Sequence, residues 1–159
     1  MMTYQELLRA ILKLLGVLVA NTNNLLPKLA IKRRLEEIIV DEWKRELVDQ
    51  FTTSVDDTPQ VWIVQCDDQF SPISTVNNKK LFSTCTITVL AFSQTRETEV
   101  HEIISGLLNL APADFKATGV KINSITPTSQ STSYQNDASQ GHVFADVTLE
   151  IKYFFERTP

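Results

Sequence analysis

Residues 143–155, with the sequence VFADVTLEIKYFF, carry the strongest structural signal in the chain. Apolar side chains occupy every second position of this stretch: Val143, Ala145, Val147, Leu149, Ile151, Tyr153 and Phe155. Because successive side chains of a strand point to opposite faces, this period of two predicts a long strand with one buried face, near the centre of a sheet. Phe144 and Phe154 lie on the other, mostly polar face and would expose aromatic surface unless something covers them.

Three shorter β-type segments precede this strand, at residues 61–66, 81–92 and 120–125. The second alternates as well: Ser83, Cys85, Ile87, Val89 and Ala91 share one face, and Thr84, Thr86 and Thr88 share the other. The polar stretches 67–80 and 126–142 predict loops, and the latter is too long for a tight hairpin turn. Since residues 126–142 contain almost no apolar side chain, we expect them to be mobile in the free subunit.

Apolar residues at three- and four-residue steps predict two helices, one near the start of the chain and one in its second half. The first covers residues 3–18, where Thr3 and Glu6 form a capping box and the apolar face is unusually wide. The other follows the caps and acids of residues 95–99 and ends at Ala111-Pro112.

A further helix is predicted at residues 28–51, opened by Pro27 in its first turn. Its length would be ~36 Å. Opposite charges at helical spacing, such as Arg33 with Glu37 and Asp41 with Arg45, are expected to pair on a solvated face. A helix of this length commonly projects from a small domain or packs on a neighbour, and the sequence leaves its role open.

These elements follow the order α-α-β-β-α-β-β. That order predicts an α+β fold with an antiparallel or mixed β-sheet of about four strands and helices packed on one face. The 159 residues are the usual length of one domain, with no repeat or linker. We therefore expect a single domain, 1–159, with a helical N-terminal part at 1–55 and the sheet with one helix at 56–159.

The net charge of −4 and the pI near 5.2 argue against a protein that neutralises nucleic-acid phosphates or adsorbs to anionic membranes. The apolar run at residues 7–19 is interrupted by Arg9 and Lys13, so it is too short and too charged to span a bilayer. No secretory signal is recognisable, and a cytoplasmic location is expected.

No catalytic, cofactor-binding or metal-binding site is predicted. Cys66 and Cys85 lie in apolar β-type segments and are expected to be buried, reduced thiols. His101 and His142 are isolated and do not make a metal site. The sequence Cys66-Asp67-Asp68 is interpreted as an acidic turn after a buried cysteine, because no basic partner lies nearby. None of the four glycines forms a phosphate-binding loop.

Three segments together resemble a known family. They are residues 97–108 (ETEVHEIISGLL), residues 120–127 (VKINSITP) and the alternating strand at 143–155. This succession resembles the tail terminator proteins, also called tail completion or neck proteins, of long-tailed bacteriophages. The similarity covers mainly the C-terminal two-thirds of the chain, and the helix predicted at 28–51 departs from the shortest members of the family. Either a contractile-tail neck protein or another connector would fit.

The resemblance implies a structural, non-enzymatic protein without cofactors. Its subunits would form a homo-oligomeric ring, a hexamer, that caps the tail tube, stops its polymerisation and joins it to the head. The implied partners are the tail tube protein and the head–tail connector or neck proteins, and DNA would pass through the lumen without specific binding. The acidic balance of the chain suits such a lumen, because phosphate would be repelled. The implied location is the virion tail or neck, and the host cytoplasm during assembly.

Two alternatives remain open at this point. One is a small cytoplasmic binding module, dimeric, that holds a peptide or ligand on its sheet. The weaker one is an enzyme with Cys66 or His101 as the reactive group.

Overall fold

The computed structural model of the protein describes residues 26–52, 57–73, 80–135 and 142–156. The elements are α1 (Pro27–Glu37), a π-helical segment (Ile38–Glu42), β1 (Glu46–Leu47), β2 (Gln60–Pro72), β3 (Lys80–Ser93), α2 (Glu97–Leu108), a 3₁₀ helix (Pro112–Thr118), β4 (Ile122–Gln135) and β5 (His142–Glu156). The α+β class is confirmed. The helix predicted at residues 3–18 lies outside the described residues.

The strands form one mixed sheet in the order β1-β2-β3-β5-β4. β1 is parallel to β2, and the remaining neighbours are antiparallel. The four predicted strands are all present, and the two-residue strand β1 adds a fifth at the edge. β5 lies between β3 and β4, so the near-central position predicted from its alternation is confirmed.

One hydrophobic core joins the sheet to its helices. The odd-numbered side chains of β5 from Val143 to Tyr153 are buried, and Phe155 is half-buried against the same core. The odd-numbered residues of β3 face the same way, as predicted. Ile31 and Leu35 of α1, together with the buried stripe of α2, belong to this cluster. The helices therefore cover one face of the sheet.

Two predicted loops are strand for much of their length. β2 continues through residues 67–72 on β3, and β4 continues through residues 126–135 on β5. The loop predictions are wrong there, and so is the reason for expecting mobility in residues 126–135. Backbone hydrogen bonds to a neighbouring strand hold a polar segment at a sheet edge, where its side chains need no apolar pattern.

The long helix predicted at residues 28–51 is also wrong in its second half. The helical part ends at Glu42, and Lys44 adopts a left-handed backbone conformation with φ of 54°. The chain then enters β1, where Leu47 lies opposite Val61 of β2 and packs against the core. No helix in the described part of the chain has the length and apolar character to cross a membrane.

The expected charge pairing along that helix changes with it. Arg45 lies beyond the helical turn and pairs with Glu99 and Glu102 of α2 instead of with Asp41, at 2.7 and 3.0 Å. Glu37 pairs with Arg34 at 3.3 Å. The two Arg45 contacts connect the segment after α1 to α2.

Phe51 covers one end of the outer, even-numbered face of the sheet. Its ring lies 5.6 Å from Trp62, 5.2 Å from Phe92 and 5.8 Å from Phe144, measured between centroids. Phe144 is therefore half-buried, although its strand face is otherwise polar. The aromatic surface predicted at Phe154 remains exposed, at the far end of the same strand.

Candidate protein-binding groove

A groove of about 830 Å³ lies at the end of the sheet where β2 and β5 finish and β3 and β4 begin. Three parts of the chain line it. They are the start of α1 (Leu26, Pro27, Leu29, Ala30 and Arg33), the turn into β4 (Thr118, Gly119, Val120 and Lys121) and the strand ends (Ile73, Lys80, Phe154, Phe155 and Glu156).

Local turn chemistry fixes the walls of the groove. Pro27 occupies the first turn of α1, where its missing N–H costs no hydrogen bond. Gly119 ends the 3₁₀ helix with φ of 72°, a backbone conformation that glycine adopts without a steric penalty. The Phe154 N–H then donates to the Lys121 carbonyl at 3.4 Å, which joins the entry to β4 to the end of β5.

Large apolar side chains remain exposed at this end of the molecule. Leu26, Ile73 and Phe154 line the groove and keep 44%, 49% and 43% of their surface exposed. Phe70, 42% exposed, lies with its ring 5.9 Å from that of Phe155. Exposed apolar surface gathered in one place is typical of a protein-interaction site rather than of scattered surface residues.

The rim of the groove is predominantly basic. Arg33, Lys80 and Lys121 are exposed, and none forms an ion pair with another described residue. Glu156 is the acidic residue of the lining. Since the whole chain carries a net charge of −4, this is a local reversal of sign. We call the groove with these three cations the basic groove.

The lining of the basic groove combines apolar side chains with cations. An apolar floor with cations at the rim fits an apolar segment that also carries carboxylates.

The two cysteines lie together on the neighbouring strands β2 and β3, on the core side of the sheet. Their Sγ atoms are 3.8 Å apart, and neither is in a disulfide. The predicted burial holds for Cys85, whereas Cys66 is half-buried. The hydrogen bond from Cys85 lowers the pKa of Cys66, whereas the same contact and burial raise the pKa of Cys85. Cys66 lies opposite Ile87, and Cys85 lies opposite Asp68, so the thiols meet diagonally across the two strands.

Asp67 and Asp68 do not form the acidic turn that the sequence suggested, because both lie within β2. Neighbouring strand residues point to opposite faces, so their carboxylates are separated. Asp67 accepts a hydrogen bond from Gln65 at 2.8 Å on the outer face. Asp68 turns inward and accepts one from the buried Tyr153 hydroxyl at 3.0 Å. Its other oxygen is buried and has no hydrogen-bond partner among the described residues.

His101 lies on the exposed side of α2 beside β4. Its Nε2 is 3.4 Å from both the Glu97 carboxylate and the Tyr134 hydroxyl. Tyr134 donates to Glu97 at 2.7 Å, and this hydrogen bond raises the pKa of the Tyr134 hydroxyl. This trio was not predicted, because Tyr134 stands in a stretch that was predicted to be a loop. All three side chains are solvent-exposed.

His142 opens β5, and its ring stacks on Phe92 with centroids 5.5 Å apart. Its Nδ1 is buried and finds no hydrogen-bond partner in the described part of the chain. The two histidines therefore have different neighbours and do not meet.

Within the described residues, no group of three or more His, Cys, Asp or Glu side chains is arranged to hold a metal ion. The chain matches no model of a protein family, and it has no match among curated proteins. Neither a family nor an activity therefore comes from relatives.

The sequence predicted the exposed Phe154 but not the groove around it. Leu26 and Ile73 each stand beside a proline at the end of an element, Pro27 and Pro72 respectively. An apolar residue next to such a proline, in a polar segment, is the one local signal that could have marked this surface.

Proposed function

We propose that the chain is a structural subunit of a phage tail or neck, a tail terminator that forms a ring, caps the tail tube and joins it to the head. The observation that carries this proposal is the basic groove with its exposed apolar residues at one end of the sheet. A surface of this kind is suited to a contact with another protein chain. The particular identity rests on the resemblance of residues 97–108, 120–127 and 143–155 to tail terminators.

In this proposal the protein acts in the virion and is made in the host cytoplasm. Its partners are further copies of itself, the tail tube protein and the connector or neck proteins. DNA passes through the ring without specific contacts, and no catalytic residue takes part.

The test is the length of tails made without the protein. In a phage from which the coding sequence is deleted, electron micrographs should show tubes of variable, excessive length that lack heads. Expression of the wild-type chain in trans should restore uniform tails, and expression of a folded Phe154→Asp variant should not. Tails of normal, uniform length in the deletion mutant would overturn the proposal.

The volume of the groove favours one second candidate, a dimeric binding module. About 830 Å³ lies within the range of ligand and peptide sites. Native mass spectrometry of the protein purified from its host separates the two: a dimer with a retained small molecule or peptide favours the module.

A further inference from the structure

The two ends of the α1 region carry surfaces of opposite charge. The basic groove lies at the beginning of α1. At the far end lies Asp41, and beyond it lie Glu46 and Asp49; all three are exposed. None of the three acids forms an ion pair with a described residue. We call them the acidic end.

These two surfaces lie toward different ends of the helical segment and of the sheet. Along the helical segment Pro27 and Asp41 are ~21 Å apart, and Arg33 lies ~12 Å from Asp41. The sheet gives the same result: Glu46 pairs with Gln60 at the start of β2, whereas Ile73 of the groove follows the last residue of β2. One copy of the chain therefore cannot bring its own acidic end into its own groove.

The acidic end combines apolar surface with carboxylates, which complements the apolar floor and the cations of the groove. Val40, 42% exposed, stands beside Asp41 and supplies apolar surface next to the carboxylates. The three acids outweigh the neighbouring Lys44, and the three cations of the groove outweigh Glu156. Each surface thus carries an excess of about two charges, of opposite sign.

Resting on the proposed function, we propose that the acidic end of one copy seats in the basic groove of the next, and that this contact closes the ring. The contact is heterologous, because it joins two different surfaces. An interface of that type generates a ring when its rotation closes. The other occupant that the chain could supply, its own apolar residues 3–18, is the poorer fit, since Arg9 and Lys13 outnumber Glu6 and carry the same sign as the groove.

Charge reversal at each surface separately tests the pairing in the full-length chain. The groove variant is Arg33→Glu with Lys121→Glu, and the acidic-end variant is Asp41→Lys with Asp49→Lys. Either variant alone brings like charges together and should weaken self-association at least ~100-fold. An equimolar mixture restores complementarity at every contact, because each variant then meets the other, and it should recover association. Subunits per complex are counted by mass photometry of the purified protein and on isolated tails.

A control for charge reversal away from the two surfaces is Glu150→Lys with Lys152→Glu, on the outer face of the sheet. It keeps the net charge of −4, which is also the mean of the two variants in the mixture, and it should associate like the wild type. Thermal unfolding of every variant checks the fold. Recovery in the mixture supports the pairing. Wild-type association of either single-surface variant, or failure of the mixture while both variants remain folded, overturns it.

Two further outcomes separate this inference from others. If the reversals have no effect and Leu12→Asp abolishes association, residues 3–18 fill the groove and the pairing is wrong. If the mixture rescues rings but a deletion mutant has tails of normal length, the pairing stands and the tail terminator proposal falls.

Discussion

Asp57 organises the start of α2 from a position far from it in sequence. Its carboxylate accepts hydrogen bonds from the backbone N–H groups of Gln94 and Thr95, both at 2.7 Å, and from the hydroxyls of Ser93 and Thr95. Burial opposes the ionisation of Asp57, but the hydrogen bonds from Thr95, Gln94 and Ser93 outweigh it and lower the pKa of the carboxyl. The folded state therefore stabilises the ionised carboxylate of Asp57.

Asp57→Asn should reduce the free energy of unfolding by about 1–2 kcal/mol at pH 7, since the amide replaces one acceptor oxygen with a donor. Because the folded pKa lies below the ordinary value of 3.8, the wild-type advantage is present above that pH and is lost as the pH falls through the folded pKa. Urea unfolding between pH 7 and pH 3 measures it. Asp49→Asn, at an exposed acid, is the control, and an unchanged stability of Asp57→Asn at pH 7 would contradict the prediction.

Cys66, His101 and His142 should each tolerate replacement by Ala without loss of biological function. Cys66 contacts the thiol of Cys85, and His101 belongs to the exposed trio with Tyr134 and Glu97. His142 stacks on Phe92. Complementation of a deletion phage checks this, with circular dichroism to confirm folding. A folded His101→Ala variant that fails to complement would bring back the enzyme or ligand-binding hypothesis.

At the scale of elements, β5 is central to the core. Its odd-numbered side chains lie on the face of the sheet that the helices cover. Leu149 is fully buried at its centre. Leu149→Asp should cost several kcal/mol of stability, because it buries a charge without a partner. Lys152→Asp places the same side chain on the outer face and should have a small effect. Chemical denaturation compares the two, and equal stabilities would mean that the register of β5 is wrong.

β4 should behave as a hydrogen-bonded edge strand in the isolated protein. It pairs with β5 on one side, so roughly half of the amides in residues 126–135 should resist exchange and the outward half should exchange quickly. Hydrogen exchange of the free subunit, read by nuclear magnetic resonance, resolves the alternation. Uniformly fast exchange through residues 126–135 would show that the strand forms only with a partner.

For the whole molecule, surfaces of opposite charge at opposite ends favour assembly in one direction. Tails made with this protein should show a closed ring of six copies at the head-proximal end of the tube, because a terminator has to match the rotational symmetry of the tube that it caps. Averaged electron micrographs of isolated tails check the symmetry. An interface completed on a template avoids premature closure, so if free subunits are monomeric the charge-reversal variants are compared on isolated tails. A different symmetry, or no density at that position, would contradict the prediction.

The elements that could be predicted from the amino-acid sequence are those in which buried side chains recur at a regular spacing. Alternation placed β3 and β5 with their buried faces, and the helical spacing of Val100, Ile103, Ile104 and Leu107 placed α2. In these elements the pattern of apolar and polar side chains has the period of the secondary structure that forms, so a short stretch of sequence is enough to predict it.

Other elements form only through contacts with residues that are distant in sequence, so their conformation could not be predicted from local patterns. The apolar spacing of Leu47 and Phe51 suits a helix, yet Leu47 is half-buried beside β2 and Phe51 packs against Phe92 and Phe144. β4 is polar and forms because β5 supplies its backbone partners. The basic groove joins Leu26, Ile73, Lys121 and Phe154 from separate parts of the chain. A local signal, such as an apolar residue beside a proline, can mark single members of this surface. The surface itself exists only once the sheet has brought those residues together.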